Sequence, residues 1–165
     1  MHLSFIIPNS NSTTAFFIQE FILGLGLQFI QELLLDEIND FESLPEKGLR
    51  NLVSLRKLNL QSCNGLVSLA WIGSLTSLQF LVIGRCQNLT SLPQEIRNLT
   101  SLKELSIRGC HHLTSLPQEI RNLTSLKELE VSGCPLLGQR CKRQIGEDWP
   151  FIAHVPRVCV DWQKQ

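Results

Sequence analysis

The stretch "LTSLPQEIRNLTSLKEL" fills residues 89–105 and returns unchanged at 113–129, so the second copy begins 24 residues after the first. Reading outward from this pair, further copies emerge. "LTSLKELSIRGCHHLTSLPQEIRN" fills 99–122 and "LTSLQFLVIGRCQNLTSLPQEIRN" fills 75–98. "LVSLRKLNLQSCNGLVSLAWIGS" at 52–74 is one residue shorter, and "LQFIQELLLDEINDFESLPEKGLRN" at 27–51 is one longer. A last copy opens with "LTSLKELEVSGCPLL" at 123–137. The shared spacing is L-x-x-L-x-x-L-x-L/I-x-x-C-x-x-L-x-x-L-P.

That spacing and period identify the leucine-rich repeat, whose unit runs about 20–29 residues. Its physics is legible in "KELSI". Side chains alternate along a strand, so Leu105 and Ile107 face one way and Glu104, Ser106 and Arg108 the other. One coil cannot stand alone. About seven buried apolar side chains at about 3 kcal/mol each supply roughly 20 kcal/mol. Ordering the backbone of a repeat unit costs at least about 24 kcal/mol. Stacking coils buries the faces between them and makes stability collective. The fold expected is an α/β solenoid: a leucine-rich-repeat horseshoe with short parallel strands on the concave face and a C-terminal cap. Residues 27–137 hold about five coils, 138–165 the cap and tail, and 1–26 an unassigned segment or degenerate repeat.

Function is sought where the repeats vary. The outward ladder expected across the strands is Glu32, Leu34 and Asp36; Lys57, Asn59 and Gln61; Phe80, Val82 and Gly84; Glu104, Ser106 and Arg108; Glu128, Glu130 and Ser132. Concave solenoid faces are where partners usually bind. Phe80 and Val82 are expected as exposed apolar residues in its middle, the composition of a binding patch. The candidate partner-binding residues are therefore Lys57, Asn59, Gln61, Phe80, Val82, Glu104, Ser106, Arg108, Glu128 and Glu130.

Composition narrows the partner. Fifteen basic residues balance fifteen acidic ones, which gives no electrostatic case for nucleic acid or an anionic membrane. Near the N-terminus, "FII" at 5–7 is broken by Pro8 and "NSNSTT", and Gln19 and Glu20 interrupt the run at 15–30. Neither resembles a secretory signal or reaches the roughly 18–20 apolar residues of a span. A soluble, non-secreted chain is expected.

Cys63, Cys86, Cys110 and Cys134 recur at the repeat interval. Each falls just after a strand, where the repeat takes a small buried side chain. A reduced ladder is expected, in a reducing compartment. Cys134, Cys141, His154 and Cys159 fit no familiar zinc spacing. His111 and His112 read as solvated loop residues. No Ser, His and acid constellation and no phosphate loop is present, so neither catalysis nor a cofactor is expected. The N-x-S/T triplets at Asn88, Asn98 and Asn122 are part of the repeat itself, a fourth lies at Asn11, and all read as silent without export.

After Leu137 the pattern stops. Arg140 to Gln144 reads as a short basic helix ended by Gly146, and Trp149, Phe151, Ile152 and Val155 read as a lid on the last coil. "CPLLGQRCKRQIGEDWPFIAHVP" at 134–156 resembles the end of plant disease-resistance proteins of the nucleotide-binding leucine-rich-repeat family, coiled-coil branch. There the last repeat runs into C-P-x-L, R-C, G-E-D-W-P and I-A-H-I/V-P, matched here by Cys134, Pro135 and Leu137; Arg140 and Cys141; Gly146 to Pro150; and Ile152 to Pro156. The resemblance implies the sensor portion of a cytoplasmic immune receptor. Its partners would be proteins: a pathogen effector, a host target that an effector alters, or the receptor's own nucleotide-binding module. None of that module's motifs is in this chain, so no nucleotide-site residue carries over. The alternatives are an intracellular signalling scaffold or an extracellular repeat protein.

Overall fold

The computed structural model describes residues 4–7, 29–39 and 49–160. The strands are β1 (Ser4–Ile7), β2 (Glu32–Asp36), β3 (Lys57–Gln61), β4 (Phe80–Gly84), β5 (Glu104–Arg108), β6 (Glu128–Ser132) and β7 (Arg157–Val160). They form one parallel sheet in chain order. Each strand pairs only with its sequence neighbours, which is the signature of a solenoid rather than a wound sheet. The register from β2 to β6 matches the alternation read in the sequence: Leu58, Leu81, Leu105 and Leu129 align as one inward column, and Leu60, Ile83, Ile107 and Val131 as the next. All eight are buried in a single continuous core.

Two backbone devices repeat with the coil. Just before each strand, one carbonyl serves two amides of the following coil. Gln31 O accepts from Arg56 and Lys57, Arg56 O from Gln79 and Phe80, and Gln79 O from Lys103 and Glu104. Just after each strand, one residue takes positive φ: Glu37, Ser62, Arg85, Gly109 and Gly133. Its amide then donates to the last carbonyl of the next strand, as from Ser62 to Gly84, Arg85 to Arg108 and Gly109 to Ser132. This left-handed residue ends the strand and turns the chain inward. Glycine takes it without steric cost, while Ser62 and Arg85 carry about 1–2 kcal/mol each.

The return limb is a 3₁₀ turn, at Ala70–Ser74, Gln94–Asn98 and Gln118–Asn122. In the two copies of "LPQEIRNL" the proline holds an extended φ before the turn, and one isoleucine, Ile96 or Ile120, is its buried anchor. A single anchor per turn explains why the limb stays short.

The C-terminal segment departs from the sequence reading. The helix expected over Arg140 to Gln144 lies earlier, as α1 (Pro135–Arg140), with the proline in its first turn. Residues 141–146 form turns instead. Cys141 is buried and Lys142 to Ile145 are exposed. A second short helix, α2 (Trp149–Ile152), brings Ile152 into the core, with Trp149 and Phe151 packed beside it. β7 then extends the sheet beyond the last recognisable leucine, with Val158 and Val160 in register with Leu129 and Val131. At the other end, β1 lies within the unassigned 1–26 segment and pairs with β2, Ser4 opposite Glu32. The rest of that segment lies outside the described residues, as does Asn11.

Candidate functional site

Parallel strands about 4.8 Å apart turn the variable positions into three rows. The first is Glu32, Lys57, Phe80, Glu104, Glu128 and Arg157; the second is Leu34, Asn59, Val82, Ser106, Glu130 and Cys159; the third is Asp36, Gln61, Gly84, Arg108 and Ser132. A shallow depression of roughly 170 Å³ is lined by Phe80, Val82, Glu104, Ser106, Arg108, Glu128 and Glu130. Seven of the ten candidate residues thus share one surface. Lys57, Asn59 and Gln61 lie on the neighbouring strand, outside it.

The apolar pair differs from expectation. Phe80 and Val82 are half-buried rather than exposed, each standing between polar residues of the adjoining strands: Lys57 and Glu104 beside Phe80, Asn59 and Ser106 beside Val82. Gly84 is buried, and a Cβ there would come 2.1 Å from Gln61 Oε1. The missing side chain leaves room for Gln61, whose Nε2 donates to Asn59 Oδ1 at 2.7 Å. The centre of the ladder is therefore low and apolar, with a polar wall on β3.

Its C-terminal wall is charged. Arg108 donates from Nε to Glu130 Oε1 at 3.0 Å and from Nη2 to Oε2 at 2.5 Å, a two-point contact. Ser106 donates to Glu130 at 3.2 Å. The Arg108 hydrogen bond holds the Glu130 carboxyl below the usual range, and Ser106 and Ser132 assist. The same contact raises the Arg108 guanidinium. Arg157, from β7, reaches Glu128 at 3.4 Å. Glu104, exposed, sits beside Glu128 in the register without a cation of its own in the row between β4 and β6.

The cysteines of the ladder face away from this surface. Cys63, Cys86, Cys110 and Cys134 are buried thiols, none in a disulfide. Their sulfurs donate to backbone carbonyls, Cys63 to Leu35 at 3.4 Å and Cys134 to Ile107 at 3.7 Å. Hydrogen bonding between neighbouring thiols raises Cys86 and Cys134, where burial adds to it, and lowers Cys63 and Cys110, where burial opposes it. Burial pushes Cys141 up to about 12. Buried and bonded to backbone carbonyls, the ladder thiols anchor the turns that follow the strands. Among the described residues no group of three or more His, Cys, Asp or Glu is placed to hold a metal. His111 and His112 are exposed, and both lean on Gln87: Nδ1 of His111 is 3.0 Å from its side-chain oxygen, and Nδ1 of His112 is 2.7 Å from its carbonyl.

The "GED" of the C-terminal segment has a structural role that neither its spacing nor its composition announces. Asp148 is completely buried. Its Oδ2 accepts from the Leu116 amide at 2.8 Å, and its Oδ1 from Arg140 Nε and Nη2 at 3.1 and 2.8 Å. Arg140 also meets Glu147. Gly146 lets this loop close, since a Cβ there would lie 2.0 Å from the Arg140 carbonyl oxygen. The carboxylate therefore ties the cap to the coil of the duplicated repeat. The family motif was the one sequence signal for it.

Comparison with known proteins agrees with this architecture. A family model described as a leucine-rich repeat region matches residues 21–145, well over half of the chain. The chain belongs to the leucine-rich-repeat family. Among solved structures, a leucine-rich-repeat protein of Leptospira interrogans is 30% identical with a TM-score of 0.52, over 66% of this chain and 27% of that one. This repeat chain thus spans about a quarter of the length of that relative. The leucine-rich-repeat domain of the type III effector XopL is 20% identical with a TM-score of 0.37, over 81% of this chain and 69% of that domain. No curated protein matches the sequence. Repeats of this family form protein-interaction surfaces. No helix among the described residues is long and apolar enough to cross a membrane.

Proposed function

We propose that the chain recognises a protein through the β4–β6 part of its concave face, as the sensor portion of a cytoplasmic plant immune receptor. The observation that carries the binding reading is the depression that gathers Phe80 and Val82 under a wall of Glu104, Arg108, Glu128 and Glu130. An apolar floor with a charged rim is the usual anatomy of a recognition patch. Its likes and unlikes are not neutralised throughout: Glu104 adds an exposed carboxylate beside the Arg108–Glu130 pair.

The receptor reading rests on the ending at 134–156. The buried Asp148 clamp and the close approach at Gly146 give that motif a physical reason to stay together in any protein that uses this cap. On this reading the partner is a pathogen effector, a host protein altered by one, or a nucleotide-binding module against which the repeats rest. Catalysis and a bound cofactor have no part in it. An intracellular scaffold built from the same repeats would use the same face.

Two experiments test the proposal. Extending the encoding transcript upstream should reveal a phosphate-binding loop; a secretory signal there would return the extracellular reading. Reversing Glu104 and Arg108 together should strongly weaken capture of the partner while the coil stays folded, with only a small fall in the thermal midpoint. A partner retained by that double variant would remove the concave face from the proposal.

A further inference from the structure

A second surface lies at the C-terminal end of the solenoid, apart from the concave depression. A groove of roughly 660 Å³ runs between the 141–143 turn, the end of α2 and β7. Trp149, Val155, Val158 and Val160 form an apolar strip along a lining that is otherwise largely polar. Its basic side chains are Lys142, Arg143, His154 and Arg157, and no carboxylate of the described residues lines it.

The groove runs along the outer edge of β7, with which no strand of the described residues pairs on that side. β7 is last in the strand order. The Arg157 amide donates to Lys127 O at 3.0 Å, toward β6. Successive residues of a strand send their amide and carbonyl to opposite sides, so those of Val158 and Val160 point outward, away from β6. The outward row, the apolar strip and the cationic rim therefore converge on the same few residues.

We propose that this edge is a docking site for an extended acidic peptide segment of a partner protein. The peptide adds to β7 as a further parallel or antiparallel strand. Its backbone pairs with Val158 and Val160, alternate apolar side chains meet Trp149 and the valines, and its carboxylates face Lys142 and Arg143. Strand addition supplies affinity through the backbone and selectivity through alternate side chains. The basic side chains among the described lining, Arg143 foremost, favour acidic sequences over basic ones. A second copy of the chain is a poorer occupant, since pairing edge to edge would bring two cationic rims together.

The test uses the full chain and a fluorescein-labelled hexapeptide of alternating Glu and Val, read by anisotropy. Saturable binding is expected, weakened by added salt. The matching Lys and Val peptide should bind at least about tenfold more weakly. K142E/R143E, at exposed positions, should also lose at least about tenfold. Val160→Pro removes one outward amide at the end of an edge strand, where proline is tolerated, and should lose binding with the thermal midpoint kept. Equal affinity for the acidic and basic peptides overturns the proposal. So does full binding by K142E/R143E, preference for a single-stranded RNA oligonucleotide over the peptide, or sedimentation as a dimer that Val160→Pro dissolves.

Discussion

Two carboxylates in this molecule meet an arginine in nearly the same way, and they serve opposite ends. Asp148 is fully buried, joins Arg140, and takes a backbone amide 32 residues away in sequence. Glu130 joins Arg108 on the open sheet, and its side chain keeps 30% of its surface in water. Removing the first orphans a buried amide and unseats the cap. Removing the second exposes groups that water can solvate at once. Geometry alone does not rank an ion pair; the solvent each partner would regain does.

The comparison can be broken at either end. The largest effect belongs to Asp148→Ala, which should cost about 3 kcal/mol in a denaturant titration, because the Leu116 amide and Arg140 lose their shared acceptor. A loss below about 1 kcal/mol would show that the clamp carries little. Gly146→Ala comes next, at about 2 kcal/mol, since its Cβ must displace backbone rather than a side chain. Glu130→Gln should cost only about 0.5 kcal/mol while still altering partner capture.

Acidity sharpens the same contrast. The folded-state pKa of Glu130 is depressed, so its stabilisation is present above the unfolded glutamate value and is lost as pH falls through the folded one. Binding at the concave face should therefore persist through the ordinary glutamate range and weaken only at more acidic pH, as Glu130 takes up its proton. Glu130→Gln should flatten that part of the profile; an unchanged profile would place the titrating group elsewhere. One change should be a gain. Arg85→Gly relieves a left-handed residue and should raise stability by up to about 1 kcal/mol, part of the relief being offset by the freedom glycine adds to the unfolded chain.

The rows of outward side chains show how far reading alone could go. Period-two alternation inside each repeat placed Leu105 and Leu129 inward and Glu104, Ser106 and Arg108 outward, and the register agrees pair by pair. Burial within the rows was not legible, because it depends on what stands on the adjoining strands: Gly84 lies beneath Gln61, and Phe80 and Val82 are half-covered. The positive-φ position was hidden as well, since Glu37, Ser62 and Arg85 give no glycine signal there.

Where the duplicated stretch ends is instructive. Identical residues put Glu104 beside Glu128, two like charges in neighbouring strands. The first residues past the duplication differ, and there Arg108 finds Glu130. Exact repetition stacks each side chain on its own kind, which suits leucine and does not suit charge. The sequence by itself determined the coil, its inward columns and the outward rows, because those follow from spacing and the two-residue period of a strand. Only the tertiary structure decided that the cap begins with α1, that β7 completes the sheet, and that Asp148 reaches Leu116. Those depend on contacts between segments whose own local patterns are too short to fix where they dock.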